Sequence, residues 1–190
     1  MRVMIDACVL YPTVMREVIL GCAAQGLFAA RWSARVLEEW RRAAARLGPA
    51  EAVYAEGEIA TLTARFPDAM VRYDPQSEAR FWLPDPADVH VLAAAVAGSC
   101  DGILTLNAKD FPRNILSDEH LLRYDPDGFV LGLLAEAPDQ VRSVAEAVLQ
   151  EADRLSDRPW TMRALMKKAR LPRFGKALER LRDREDDRAR

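Results

Sequence analysis

The sequence predicts an α/β protein, with a central parallel sheet flanked by helices over residues 1–135 and an all-helical stretch over 136–190. Three observations carry this. Short apolar runs, Val3-Met4-Ile5 and Ile103-Leu104-Thr105-Leu106, have the length and character of buried central strands. Stretches of helical periodicity separate such runs, the alternation expected of a parallel sheet. From Pro138 onward only helical spacing is left, with Val141, Val144, Ala145, Val148, Leu149, Ala152 and Leu155 falling on one face.

Each element has its own signal. The first strand ends in Asp6, and Pro12 suits the opening turn of a helix that stops at Gly26. Ser33 is positioned to N-cap a helix over 34–47, whose apolar face is Val36, Leu37, Trp40, Ala43, Ala44 and Leu47. A third helix is expected over 50–65, and a strand over 69–73. Asp85-Pro86-Ala87-Asp88 opens a further helix with an N-cap, a proline at its first position and an acid at its third. That helix runs to Gly98. Leu121-Leu122-Arg123-Tyr124 has the pattern of one more strand, and Asp125-Pro126-Asp127-Gly128 that of a turn or helix start. Pro159 and Leu171-Pro172 divide the remaining tail into two more helices.

Composition narrows the function classes. The chain has 190 residues, 50% hydrophobic and 29% charged, enough to bury a core. No apolar run reaches the roughly 18 residues of a membrane span. The acid at position 6 interrupts the apolar core that a signal peptide would need. Cys8, Cys22 and Cys100 are odd in number and widely spaced, as in a reduced, cytoplasmic protein with buried thiols. Net charge is uneven. Residues 1–138 carry 13 basic against 19 acidic side chains, whereas residues 139–190 carry 14 against 10. Between Arg158 and Arg182 nine side chains are basic and only Glu179 is acidic. An acidic body with a basic tail suits a protein that gathers metal in one place and polyanion in another, although a solvated helix face gives the same pattern.

Four acids stand at telling positions. Asp6 ends the first strand, Glu39 lies in the second helix, Asp88 opens the helix before the Ile103 strand, and Asp110 follows Asn107 by three residues. In parallel α/β sheets, ligands bind beyond the carboxyl ends of the strands, where Asp6 and the 107–110 loop fall. Two carboxylates about 4 Å apart repel by roughly 4 kcal/mol at an effective dielectric of 20. Such a cluster is tolerated when a divalent cation sits among its members, and oxygen-only ligands suit Mg²⁺ or Mn²⁺. Each acid also has a structural reading. Asp85 and Asp88 suit helix capping, Glu38 and Glu39 suit a solvated helix face, and Asp110 suits a turn before Phe111-Pro112. Asp6, behind an apolar strand, is the acid whose burial most needs a partner.

The motifs 3–10 (Val-Met-Ile-Asp-Ala-Cys-Val-Leu), 33–40 (Ser-Ala-Arg-Val-Leu-Glu-Glu-Trp), 85–95 (Asp-Pro-Ala-Asp-Val-His-Val-Leu-Ala-Ala-Ala) and 103–112 (Ile-Leu-Thr-Leu-Asn-Ala-Lys-Asp-Phe-Pro) occur in that order. Together they resemble the PIN domain family of metal-dependent ribonucleases, especially VapC-like toxins carrying a C-terminal helical extension. The resemblance spans about residues 1–125 and implies a PIN-like fold of parallel sheet and flanking helices. It matches Asp6, Glu39, Asp88 and Asp110 to the four family acids. Glu38 is the fallback for Glu39, Asp85 an outer neighbour, and Thr105 a possible hydroxyl donor. Asn107 falls where some members carry another acid.

The resemblance further implies hydrolysis of an RNA phosphodiester. Mg²⁺ or Mn²⁺ held by Asp6, Asp88 and Asp110 would activate water and neutralise charge on the phosphate, with Glu39 orienting the water. RNA contact is expected from Lys109 and Arg113 beside the acidic loop, and from Lys167, Lys168, Arg170 and Arg173 in the tail. Toxins of this kind imply a cognate antitoxin of a type II pair and a homodimer. The competing expectation is a catalytically silent PIN-like module that binds RNA or protein. His90 is read as structural and facing away from Asp88, and Cys8 as core. An aspartate-nucleophile phosphatase would need an acid where Cys8 stands, and nucleotide-cofactor motifs do not occur.

Overall fold

The computed structural model describes residues 1–188, with side chains described through Arg182. In chain order the first elements are β1 (Arg2–Ile5), α1 (Ala7–Leu10), α2 (Thr13–Ala24), β2 (Ala29–Ser33), α3 (Ala34–Ala45), α4 (Pro49–Arg65) and β3 (Met70–Val71). After them come α5 (Val89–Ala97), β4 (Gly102–Leu104), α6 (Arg113–Asp118), β5 (Leu122–Tyr124), α7 (Pro126–Glu136), α8 (Pro138–Arg154), α9 (Met162–Lys168) and α10 (Pro172–Arg188). The chain forms two compact units, one of Met1–Tyr11 and Phe28–Asp125, the other of Pro12–Leu27 and Pro126–Arg190.

The first unit holds a five-stranded sheet, parallel throughout, in the order β3-β2-β1-β4-β5. Val3, Met4 and Ile5 are fully buried at its centre, as an apolar run in a parallel sheet should be. The strand order reverses between β1 and β4, and the crevice beyond the carboxyl ends of that pair is where such sheets bind ligands. Register fixes what lies there. Ile5 pairs with Leu104, so Asp6 and Thr105 leave the sheet side by side. The Asp6 N–H still donates to the Leu104 carbonyl at 3.1 Å, which ties the first residue of the crevice to the sheet.

Helix α3 starts at Ser33, whose hydroxyl accepts from the Val36 N–H at 3.3 Å. Val36, Leu37, Trp40 and Ala44 are buried as expected, but Leu47 is 66% exposed because the helix stops at Ala45. Asp85 caps a single 3₁₀ turn, Pro86–Asp88, and the α-helix itself begins one residue later at Val89. The expected strand over 69–73 shrinks to Met70–Val71, since a 3₁₀ turn takes up Pro67–Ala69. Strand β2 has no counterpart in the sequence reading; its pairing with β1 and β3 makes it a strand.

The second unit is helical. Helix α2 packs on α7 and α8, α7 on α8 and α10, and α9 on α10. Gly21 of α2 faces the Val144 side chain of α8 so closely that a Cβ would displace it. Asp127, buried near the start of α7, accepts from the Arg173 and Phe174 N–H groups at 3.0 and 2.9 Å. These are orphan donors of the first turn of α10, so the carboxylate acts as that helix's cap from a distance in sequence.

Candidate metal centre and cleft

A cleft of about 630 Å³ opens in the first unit beyond β1 and β4, and its lining includes Asp6, Cys8, Glu38, Glu39, Asp88 and Asn107. Asp6 is buried, and one of its oxygens is doubly held. Oδ2 accepts from Thr105 Oγ1 at 2.6 Å and from the Cys8 thiol at 3.0 Å. Thr105 in turn accepts from the Asn107 N–H at 2.9 Å, and Asn107 Nδ2 donates to Asp88 Oδ2 at 3.1 Å. A continuous chain of hydrogen bonds thus joins the ends of β1 and β4 to the turn before α5. Cys8 belongs to this chain and not to the core, a correction to the sequence reading. Burial, followed by the Asp6 charge, pushes its thiol up to about 12, so it stays protonated as a donor.

Among the described residues, Asp85, Asp88 and Asp110 bring one carboxylate oxygen each to within 4.8 Å of the others. Asp85, expected only as a neighbour, is therefore as close to Asp88 as Asp110 is within that limit. Asp88 also feels Asp6 and Glu39. Burial first, then the charges of Asp6, Asp85, Asp110 and Glu39, lift its carboxyl to about 6. Three carboxylates this close, with two more acting on Asp88, are costly unless positive charge joins them. All their ligand atoms are oxygens, the donor set that Mg²⁺ and Mn²⁺ take.

The two neighbouring glutamates of α3 do different things. Glu38 is forked by Arg41 and by Arg42 Nε, the latter at 2.9 Å, and these two hydrogen bonds lower its pKa. Glu39 instead lies 2.6 Å from Nε2 of His90. His90 is completely buried, and neither ring nitrogen has a hydrogen bond of good angle, so the contact with Glu39 lies off the N–H axis. His90, expected to be structural and to face away from Asp88, is carried by α5 toward α3, where it touches another site carboxylate. Helical spacing from Asp88 could not reveal this, because the acid it meets comes from another helix.

The basic residues expected to touch RNA are divided between the two units. Lys109 is 85% exposed with its Nζ 3.7 Å from Asp110, and Arg113 is exposed at the start of α6. In the second unit Lys167 and Arg170 are exposed, and Lys168 lies 4.7 Å above the Trp160 ring. Arg173 Nε is tied to Asp127 at 3.0 Å, which gives this guanidinium a structural duty. The sequence reading passed over Arg35, Arg42 and Arg46, which line the cleft from α3.

Fold and site together define an α/β domain with an acidic centre at the sheet's switch point. A family model for the PIN domain matches residues 2–109, more than half of the chain, and the protein belongs to that family. PIN domains are generally nucleases, bind RNA, and usually work with divalent metal ions. Comparison with curated proteins and with solved structures gives no match. Among the described residues, no helix is long and apolar enough to cross a membrane.

Proposed function

We propose that this PIN domain is a metal-dependent endoribonuclease acting as the toxin of a type II toxin–antitoxin pair. The observation that carries the reading is the acidic cluster of Asp85, Asp88 and Asp110 in the cleft beyond β1 and β4, with the charges of Asp6 and Glu39 also acting on Asp88. Asp6, Asp88 and Asp110 would hold Mg²⁺ or Mn²⁺, with Asp85 adjoining. A bound divalent ion supplies acidified water and offsets charge growing on the phosphate. Thr105 and Cys8 occupy Oδ2 of Asp6, leaving Oδ1 for the ion. Asn107 fixes one oxygen of Asp88 in the same way. Glu39, half-exposed in the cleft, is suited to orient the attacking water and accept its proton. The reaction needs no covalent nucleophile.

In this reading residues 1–135 act as the nuclease part and 136–190 as the helical extension, while the packing units interleave as described. Lys109 and Arg113 hold phosphates next to the scissile one. Lys167, Lys168, Arg170 and the remaining donors of Arg173 add sequence-independent affinity. The protein works in the cytoplasm as a homodimer, and a cognate antitoxin covers the acidic cleft. One observation favours the silent binding module: Asn107, an amide where some relatives have an acid, donates to Asp88 and lowers the charge of the cluster.

Purified wild type and Asp88→Asn, each with Mg²⁺, Mn²⁺ or EDTA and structured RNA, decide between them. The nuclease reading expects cleavage by wild type with metal, lost on chelation, and reduced at least a hundredfold in the variant. Metal-raised melting temperature without cleavage of any RNA supplied would favour the binding module.

A further inference from the structure

One face of α3 forms a wall of the cleft and carries positive charge on both sides of Glu39. Arg35, Arg42 and Arg46 all line the cleft. At 3.6 residues per turn, positions 35, 39, 42 and 46 fall on one side of the helix. The rise of 1.5 Å per residue spaces the three arginines along its axis by about 10 and 6 Å. Their hydrogen-bonding capacity is only partly used. Arg42 gives its Nε to Glu38, leaving both terminal nitrogens for a ligand. Arg35 uses Nη1 on the two Glu78 oxygens, at 3.2 and 3.1 Å. Arg46 is exposed and makes no ion pair among the described residues. Tyr11, which closes α1, also lines the cleft and is 37% exposed.

We propose that this face of α3, together with Tyr11, is the track on which an unpaired RNA segment crosses the acidic centre. This inference rests on the nuclease reading for its choice of RNA. Phosphates flanking the scissile bond sit on Arg42 and Arg46, and a base freed from stacking lies on the Tyr11 ring. The chemistry of the wall selects this occupant. Guanidinium groups with free forks suit phosphate oxygens. A ring inside the cleft is useful to a strand whose bases are splayed, and a duplex keeps its bases stacked. Glu38 gains a duty distinct from that of Glu39: by gripping Arg41 and Arg42 it holds the wall's central guanidinium in place.

The test is fluorescence anisotropy with a labelled, unstructured RNA oligonucleotide, and with the same strand annealed to its complement, in EDTA so that hydrolysis stops. Arg42→Ala and Arg46→Ala should each weaken binding of the single strand about fivefold or more. Each should also flatten the plot of log affinity against log salt by about 0.7. Tyr11→Ala should weaken it about fivefold or more while leaving the salt slope unchanged. A loss of fold would not separate affinity from slope in this way. Variants that bind like wild type, or a duplex that binds as tightly as the single strand, would overturn the track. Cleavage in Mn²⁺ is measured in parallel. Wild type that cleaves RNA beside variants that bind it normally would remove the track and leave the nuclease. Absent cleavage, with binding still lost in the arginine variants, would remove the nuclease and leave the track.

Discussion

Asp88 concentrates the electrostatic tension of the site. Its carboxyl lies near 6 instead of the ordinary 3.8, chiefly through burial and then through four neighbouring carboxylates. The folded protein therefore holds this proton more tightly than the unfolded chain does. Stability from the group is fully present below pH 3.8 and lost as pH rises through about 6. Asp88→Asn removes that loss. Because Asp88 is half-exposed, solvent screening cuts the gain to about 1 kcal/mol, or roughly 2–4 °C in melting temperature. Differential scanning fluorimetry in EDTA should show the variant more stable than wild type at pH 7.5 and nearly level with it at pH 4. Equal melting temperatures at both pH values would show that neither burial nor the neighbouring charges raise this carboxyl. The residue scale also marks a limit of reading sequence alone. The four acids can be named from their motifs, but the hydroxyl of Thr105 on Asp6 and the ring of His90 on Glu39 join segments far apart in the chain.

Elements became legible to the degree that their own residues decide them. Strands β1 and β4 announce themselves as apolar runs because both faces of a central parallel strand are buried. Strand β2, Ala-Ala-Arg-Trp-Ser, has no β-branched residue and carries a charge, so its strand character comes from pairing with β1. Gly102 shows why β4 must begin as it does. A Cβ there would stand 2.5 Å from both the Leu122 carbonyl oxygen and the Tyr124 ring, groups of the neighbouring edge strand. The oxygen is backbone and cannot swing aside, so β5 would have to shift. Gly102→Ala should cost about 1–3 kcal/mol, read as a lower urea midpoint at unchanged slope. An unchanged midpoint would mean that β5 moves freely at that position.

At the scale of the molecule, the helical unit takes one of its members from between the first two strands. Met15, Val18, Ile19, Leu20 and Cys22 of α2 are buried, and α2 packs on α7 and α8 within that unit. A chain ended at Asp125 would keep α2 and lose those partners. It should expose that apolar face, bind a hydrophobic dye, and aggregate on purification, whereas the full chain stays monodisperse or assembles discretely. A soluble 1–125 fragment with a sharp melt would show that α2 needs none of them. The sequence hinted at the tail's helices but not at this exchange, since the apolar spacing of α2 does not say which surface it covers.

The same interleaving sets a clock on synthesis. Ala24 ends α2 and Pro138 begins α8, so 114 further residues must be made before its main partner starts to form. At 5–20 residues per second that interval is about 6–23 s. By the end of it α2 still lacks that partner, while the segments that carry Asp6, Asp88 and Asp110 have all been made. The acidic cleft is thus translated before the helical unit can close, and the newborn protein has the parts of its site in hand before its last helices exist.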